Sequence, residues 1–116
     1  MCIRDSHSGG FTEIRKIADM ADTHYVPVAP HNSNGPISTL ASLHLGLSIP
    51  NSFTQEIFVS FFDRYGDVLT SPIDITNGFA TVPDGPGWGA DIDVEALEKY
   101  PPTDFTQVED EPYLLF

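Results

Sequence analysis

The chain has 116 residues, of which 17 are acidic and five are basic, so that its formal net charge is −12 at pH 7. A chain this acidic repels the phosphate backbone of nucleic acids and offers no polybasic patch to a membrane surface. It has no apolar run near the roughly 20 residues of a membrane-spanning helix, no signal-peptide core, and one cysteine, Cys2. We therefore expect a cytoplasmic protein in a reducing compartment, with no nucleic-acid or membrane partner.

The first five residues are treated separately. Residues 1–5 read like a translated sequencing adapter fused to a truncated reading frame. They are predicted to be an artefact that carries no information about the fold. The alternative is a genuine start methionine followed by a polar tail.

Residues 6–57 alternate between helical and extended patterns. Apolar spacing, β-branched residues, prolines and loop residues predict a helix over 11–24, a strand over 25–29, a loop over 30–36, a helix over 37–48 and a strand over 52–57. Thr12 can cap the first helix. The second helix is apolar on more than one face and is expected to pack against something not fully present.

This alternation indicates an α/β fold with a parallel sheet and crossover helices. Two strands cannot form a stable parallel sheet alone, because such sheets are covered on both faces and need more strands. We therefore expect the chain to be a C-terminal piece of a larger α/β barrel, with residues 6–57 as its last units.

Residues 58–116 have a different character. Alternating residues on both sides of Asn77 and Gly78 predict a β-hairpin, and Asp93 can cap a short helix over 94–100. The sequence PDGPGWG at 83–89 lacks the lysine of a phosphate loop and is interpreted as a rigid turn. The last residues form an acidic tail.

His31 and Glu56 are the candidates for chemistry. Each lies at or near the carboxyl end of a predicted strand, where α/β barrels and open sheets bind their ligands. A histidine there can exchange a proton near neutral pH. A carboxyl group there can donate to a developing oxyanion if protonated, or orient another group if ionised. The alternatives are a loop histidine and an ordinary surface glutamate.

The other polar residues give weaker indications of function. Asn32, beside His31, and His7, in the preceding SHSGG loop, are the predicted substrate-binding residues. His44 lies on an apolar helix face and is interpreted as a core or groove histidine, and His24 as a helix-end residue. The four histidines lack metal-ligand spacing, so no metal site is predicted within this chain.

Several motifs in order resemble one family. SHSGG-FTEIRKIADMA, VPVAPHNSNGP, ASLHLGLSIPN and QE are similar to the last barrel units of the enolase superfamily. NGFATVPDGPGWGADIDVEALEKY resembles the C-terminal segment of its mandelate racemase and muconate lactonizing enzyme-like members, which packs on a capping domain. Within these, the chain is most similar to sugar-acid dehydratases of the galactonate dehydratase type.

The resemblance implies a mechanism. Such enzymes remove the proton α to the carboxylate of a small sugar acid, stabilise an enediolate on Mg²⁺ and expel the β-hydroxyl. His31 then matches the family's general base or acid, and Glu56 the glutamate that hydrogen-bonds the substrate or enediolate. The resemblance also implies an intact enzyme that is a homo-oligomer.

One departure limits this expectation. The family pairs its histidine with an aspartate on the preceding strand, and counting back from Gly9 places that position on Arg4. The Mg²⁺ carboxylates belong to strands that the chain does not contain, so the fragment alone is expected to be inactive. Other hypotheses are a racemase or epimerase of the same superfamily, a non-catalytic small binding or scaffold protein, and a degenerate barrel kept for assembly.

Overall fold

A computed structural model describes residues 2–4, 8–58 and 62–101. The elements in chain order are β1 (Cys2–Arg4), α1 (Phe11–Asp22), β2 (Ala29–His31), α2 (Pro36–Ser48), α3 (Phe62–Val68), β3 (Ile75–Thr76), β4 (Phe79–Ala80) and α4 (Val94–Leu97). The predicted α/β class is confirmed. No helix in the described ranges combines the length and the apolar character that crossing a membrane would require.

The two long helices form where helical spacing predicted them. In α1 the buried residues are Ile14, Ala18 and Ala21, which recur on one face. The expected Thr12 cap is wrong, because Gly10 holds the N-cap position and no side chain caps the helix. Pro36 begins α2, where its missing N–H costs nothing.

β2 lies between two parallel neighbours. On one side it pairs with β1, with Arg4 opposite His31. On the other side Val28 forms a parallel bridge with Ser52. The Val28 N–H donates to the Asn51 carbonyl at 2.8 Å, and the Phe53 N–H donates to the Val28 carbonyl at 2.9 Å.

The strand bounds predicted at 25–29 and 52–57 are wrong, and two features explain the difference. Tyr25 has a positive φ of 56° and turns the chain, so the strand begins only after it. Pro30 has no N–H, so the next rung of the ladder toward residues 52–57 lacks its donor. The Pro30 carbonyl still accepts from the Glu56 N–H at 3.3 Å. Residues 52–57 therefore run alongside β2 with one parallel bridge, at Ser52, and do not form a regular strand.

Three of the residues interpreted as an adapter lie in the sheet. Cys2–Arg4 form β1 and pair in register with β2. Their short backbone segment fits the edge of the sheet because parallel pairing needs only backbone groups. The origin of these residues from an adapter stays a prediction.

The C-terminal part contains the expected hairpin and helix. β3 and β4 are antiparallel around Asn77 and Gly78, whose positive φ values of 53° and 81° suit a tight hairpin turn. The Asp93 side chain accepts from the Ala96 N–H and caps α4, which ends earlier than predicted. α3 was not predicted.

Two apolar clusters form the core, one on each side of α2. The first joins α1 and α2 to the residue that precedes β2, and its members are Ile14, Ala18, Ala21, Val28, Leu45 and Ile49. The second joins Leu40 and Leu43 of α2 to Leu69 and Ile73. The second apolar face of α2 is therefore covered in part by the chain's own C-terminal segment. Leu47 remains 74% exposed.

Candidate active site

His31 and Glu56 are in direct contact. The His31 Nδ1 atom lies 2.6 Å from the Glu56 Oε2 atom, although 25 residues separate them. The His31 side chain is 22% exposed and that of Glu56 is 46% exposed, so a solute can reach the pair. The structure therefore brings together the two residues that strand-end position had selected.

The sheet explains this contact. Val28, Pro30 and Asn32 are buried in alternation, and Val28 belongs to the core formed with α1 and α2. His31 is half-buried and, because side chains alternate along a strand, it lies on the opposite face of β2. The Glu56 N–H bond to the Pro30 carbonyl fixes the register of the neighbouring segment beside it.

The contact determines which ring nitrogen is available. An ionised carboxylate can only accept a hydrogen bond, so Nδ1 must carry the proton that it donates to Glu56. In the neutral ring Nε2 then holds a lone pair. Glu56 orients the ring and would stabilise the imidazolium once Nε2 takes a proton, as the carboxylate does in a catalytic triad.

The loop after His31 is held by Asn32. Asn32 is 1% exposed, and its Nδ2 donates to the Thr39 hydroxyl at 2.6 Å. Its Oδ1 accepts from the Asn34 N–H at 3.3 Å. In this structure the amide therefore organises the loop against the first turns of α2. A contact between Asn32 and a substrate stays a prediction.

Tyr65 adds a second tie to this loop, and sequence reasoning did not identify it. The Tyr65 side chain on α3 is 7% exposed, and its hydroxyl donates to the Asn34 carbonyl. Burial raises the pKa of the Tyr65 hydroxyl, so the donor stays protonated at neutral pH. No local pattern points to this contact, which spans 31 residues.

The other histidines lie elsewhere. His7 falls outside the described residues. His24 is exposed in the turn after α1. The His44 ring is half-buried, with Nε2 3.1 Å from the Trp88 carbonyl and the two ring centroids 5.5 Å apart. This environment is that of a groove histidine, as interpreted from sequence.

The described residues contain no group of three or more His, Cys, Asp or Glu side chains that could hold a metal ion. Mg²⁺ prefers several oxygen ligands in octahedral geometry, and the isolated His31–Glu56 pair does not supply them. These residues therefore do not fit a Mg²⁺ site by themselves.

The neighbour of His31 in the sheet is Arg4. The β1–β2 register pairs these two positions, in agreement with the count back from Gly9. The family resemblance implies an aspartate at this position, and this chain has a positively charged arginine instead. Within the described residues, the carboxylate bonded to His31 comes from the other neighbouring segment, at Glu56.

Comparison with known proteins places the chain in one group. Residues 3–97 match the family described as enolase C-terminal domain-like. The chain is similar to D-xylonate dehydratase from Haloferax volcanii, with 40% identity over 92 residues that cover 79% of this chain and 22% of the relative. It is also similar to D-galactarolactone cycloisomerase from Agrobacterium fabrum, with 34% identity over 79% of this chain and 26% of the relative.

A solved structure agrees with these sequence relatives. The fold is similar to that of an enolase of the mandelate racemase subgroup from Agrobacterium tumefaciens, with a TM-score of 0.77 and 39% identity. The match covers 85% of this chain and 27% of that structure. The chain thus spans about a quarter of the length of the proteins that it matches.

Proposed function

The chain belongs to the enolase C-terminal domain-like family, and we propose that it supplies the acid–base histidine of an enzyme that dehydrates sugar acids. The observation that carries the proposal is the 2.6 Å contact between His31 Nδ1 and Glu56 Oε2 at the carboxyl ends of two parallel neighbours. Similarity to a D-xylonate dehydratase supports the choice of reaction.

His31 is the base in this proposal. Its Nε2 lone pair takes the proton from the carbon α to the substrate carboxylate, and the electron pair of that bond moves into an enediolate. The β-carbon–oxygen bond then breaks, and the departing hydroxide takes the proton that His31 Nε2 now carries and leaves as water, which returns the ring to its neutral form. The remaining enol tautomerises to a 2-keto-3-deoxy acid. General acid–base catalysis of this kind contributes roughly 10²- to 10⁴-fold to a rate.

Glu56 acts through His31. Because its Oε2 accepts from Nδ1, the ionised carboxylate holds the imidazole ring in one orientation. It also stabilises the positive charge that the ring carries once Nε2 has taken a proton. The expected contact between Glu56 and the substrate remains part of the proposal. An ionised carboxylate cannot donate to the enediolate oxygen, so the carboxylate oxygen that His31 does not use would accept a hydrogen bond from a hydroxyl group of the sugar acid. The substrate is a small anionic sugar acid.

The rest of the enzyme would complete the site. In this proposal residues 6–57 are the last units of a barrel and residues 58–116 pack on a capping domain. Phe53, Leu47 and Phe79 are 74% to 79% exposed along one open side and would be covered by the remaining barrel. Mg²⁺, when bound, would stabilise the enediolate charge, and its ligands would come from that remainder.

A chimera tests the proposal. Residues 8–97 replace the matching segment of the H. volcanii D-xylonate dehydratase, which keeps that enzyme's own preceding strand. We expect the folded chimera to form a 2-keto-3-deoxy acid from xylonate, and His31→Gln in the chimera to reduce the rate by roughly 10²-fold or more. Activity that is unchanged by His31→Gln would contradict the proposal.

The same assay in D₂O tests the second candidate, a racemase or epimerase, which the mandelate racemase-subgroup fold favours. A dehydratase yields the dehydrated keto acid. A racemase or epimerase instead returns a sugar acid that keeps all its hydroxyl groups, with deuterium and inverted configuration at the α-carbon. In the chimera, His44→Gln is the matched control for His31→Gln, because His44 bonds the Trp88 carbonyl and does not contact Glu56.

A further inference from the structure

We propose that Tyr65 is a positioning residue for His31: its hydroxyl ties α3 to the loop that follows His31 and so holds the imidazole ring against Glu56. This inference rests on the proposed function, because it assigns a role toward that function's base. It goes beyond it by naming a residue on a separate element that neither the motifs nor the family resemblance identified.

Tyr65 is connected to His31 through the loop that follows β2. The Tyr65 hydroxyl donates to the Asn34 carbonyl, and the Asn34 N–H donates to Asn32 Oδ1 at 3.3 Å. Asn32 directly follows His31 in the chain. Two hydrogen bonds and one peptide bond therefore connect the phenol to the residue that bears the imidazole.

The Tyr65 hydrogen bond also lies next to the contact that it is proposed to hold. His31 ends β2, and the Tyr65 hydroxyl bonds the loop that leaves β2. Glu56 bonds His31 directly. The bond therefore restrains the loop that follows His31, beside the His31–Glu56 contact.

The Tyr65 hydrogen bond is shielded from water, and its acceptor lies on an ordered loop. Tyr65 is 7% exposed, so water competes little for its hydroxyl. The loop it contacts is already anchored by the Asn32 bond to Thr39, at 2.6 Å, and by the Thr39 hydroxyl bond to the Gly35 carbonyl, at 3.3 Å. Because the Asn34 carbonyl lies on an ordered loop, the Tyr65 hydroxyl can fix the position of that loop relative to α3.

The test uses the 116-residue chain with ¹⁵N-labelled histidine, assigned with His31→Gln. The readout is the proportion of His31 that carries its proton on Nδ1 when the ring is neutral. We expect Tyr65→Phe to raise the other tautomer by roughly three- to tenfold, the change that weakening one hydrogen bond produces. A structural role in packing alone would leave this ratio unchanged, because phenylalanine keeps the ring.

Tyr25→Phe is the matched control. It also removes one phenol hydroxyl, but from a side chain in the turn after α1 that is 95% exposed. We expect Tyr25→Phe to leave the His31 ratio as in the parent chain. A His31 ratio that is the same in Tyr65→Phe, Tyr25→Phe and the parent chain would overturn the proposal.

A second measurement applies if Tyr65→Phe does not fold. In a chain with Tyr25→Phe, Tyr100→Phe and Tyr113→Phe, Tyr65 is the one remaining tyrosine. Raising the pH until it ionises removes the same donor, and the His31 signals should then move in step with the tyrosine absorbance at pH values where circular dichroism shows that the chain is still folded. Independent titrations would overturn the proposal. Failure of the proposed function is distinguishable, since it shows as an inactive His31 in the chimera whatever Tyr65 does to the ring.

Discussion

His31 Nδ1 and Glu56 Oε2 are joined at 2.6 Å across 25 residues of sequence. That separation is short for a nitrogen–oxygen hydrogen bond, and bonds to an ionised carboxylate are shorter than neutral ones and about twice as strong. Its chemical consequence is directional. When Glu56 is ionised, Nδ1 keeps its proton and donates it to the carboxylate, and Nε2 is left as the nitrogen that can take a proton from a substrate.

The loop beside this pair depends on Asn32. We expect Asn32→Ala to lower the free energy of unfolding by about 1–3 kcal/mol, because the Thr39 hydroxyl and the Asn34 N–H each lose a partner in a buried setting. Urea denaturation followed by circular dichroism measures the change. Ser33→Ala, at an exposed neighbouring position, should change it by less than about 0.5 kcal/mol. Equal effects of the two substitutions would contradict the role of Asn32.

The glycine-rich turn after β4 offers a matched pair of substitutions. Gly87 and Gly89 both have positive φ, at 67° and 77°, so alanine is strained at either position by about 1–2 kcal/mol. A Cβ at Gly89 would also lie 2.7 Å from the Pro83 carbonyl oxygen, whereas one at Gly87 meets nothing within 4 Å. We expect Gly89→Ala to destabilise the chain by about 1–3 kcal/mol more than Gly87→Ala in thermal unfolding. An equal loss would show that the turn does not hold the close approach to Pro83.

Alkaline pH should destabilise the fold through Tyr65. Burial raises the pKa of Tyr65 above its ordinary value of about 10, so the folded chain keeps a proton that the unfolded chain releases. Stability from this group is complete below about pH 10 and falls as pH rises through the raised pKa. Denaturation at pH 9 and pH 11 measures the loss, which Tyr65→Phe should reduce.

Tyr100 must be separated from this effect. Its pKa is also raised, chiefly by its hydrogen bond to Asp67, so it acts in the same direction. The comparison is therefore made in Tyr100→Phe chains with and without Tyr65→Phe. If both chains lose the same stability between the two pH values, Tyr65 is not the cause.

The elements that were predicted correctly are those formed by interactions between residues close in sequence. Helical spacing of Ile14, Ala18 and Ala21 was sufficient for α1, and the Asn77–Gly78 turn for the hairpin. Strand-end position was sufficient to select His31 and Glu56, because parallel neighbours end at the same edge of a sheet.

The remaining features depend on contacts between distant parts of the chain. α3 contains Gly66 and has little intrinsic preference for a helix, and it buries Tyr65 and Val68. The tie from Tyr65 to Asn34 spans 31 residues and leaves no periodic signal. The strands differ from their predicted bounds in part because Pro30 has no N–H to donate to the neighbouring segment. Which residue Pro30 lies beside depends on the pairing of the strands, and the composition of the strand does not show it.

The central claim is that Glu56 fixes the tautomer of His31 and leaves Nε2 as the base. The ring ¹⁵N spectrum of His31 in the neutral form tests it most directly, with Glu56→Gln beside the control Glu95→Gln, which removes the same charge on α4. We predict that Nδ1 carries the proton in the parent chain and in Glu95→Gln, and that Glu56→Gln produces a mixture of tautomers. A proton on Nε2 in the parent chain, or a spectrum unchanged by Glu56→Gln, would contradict the claim.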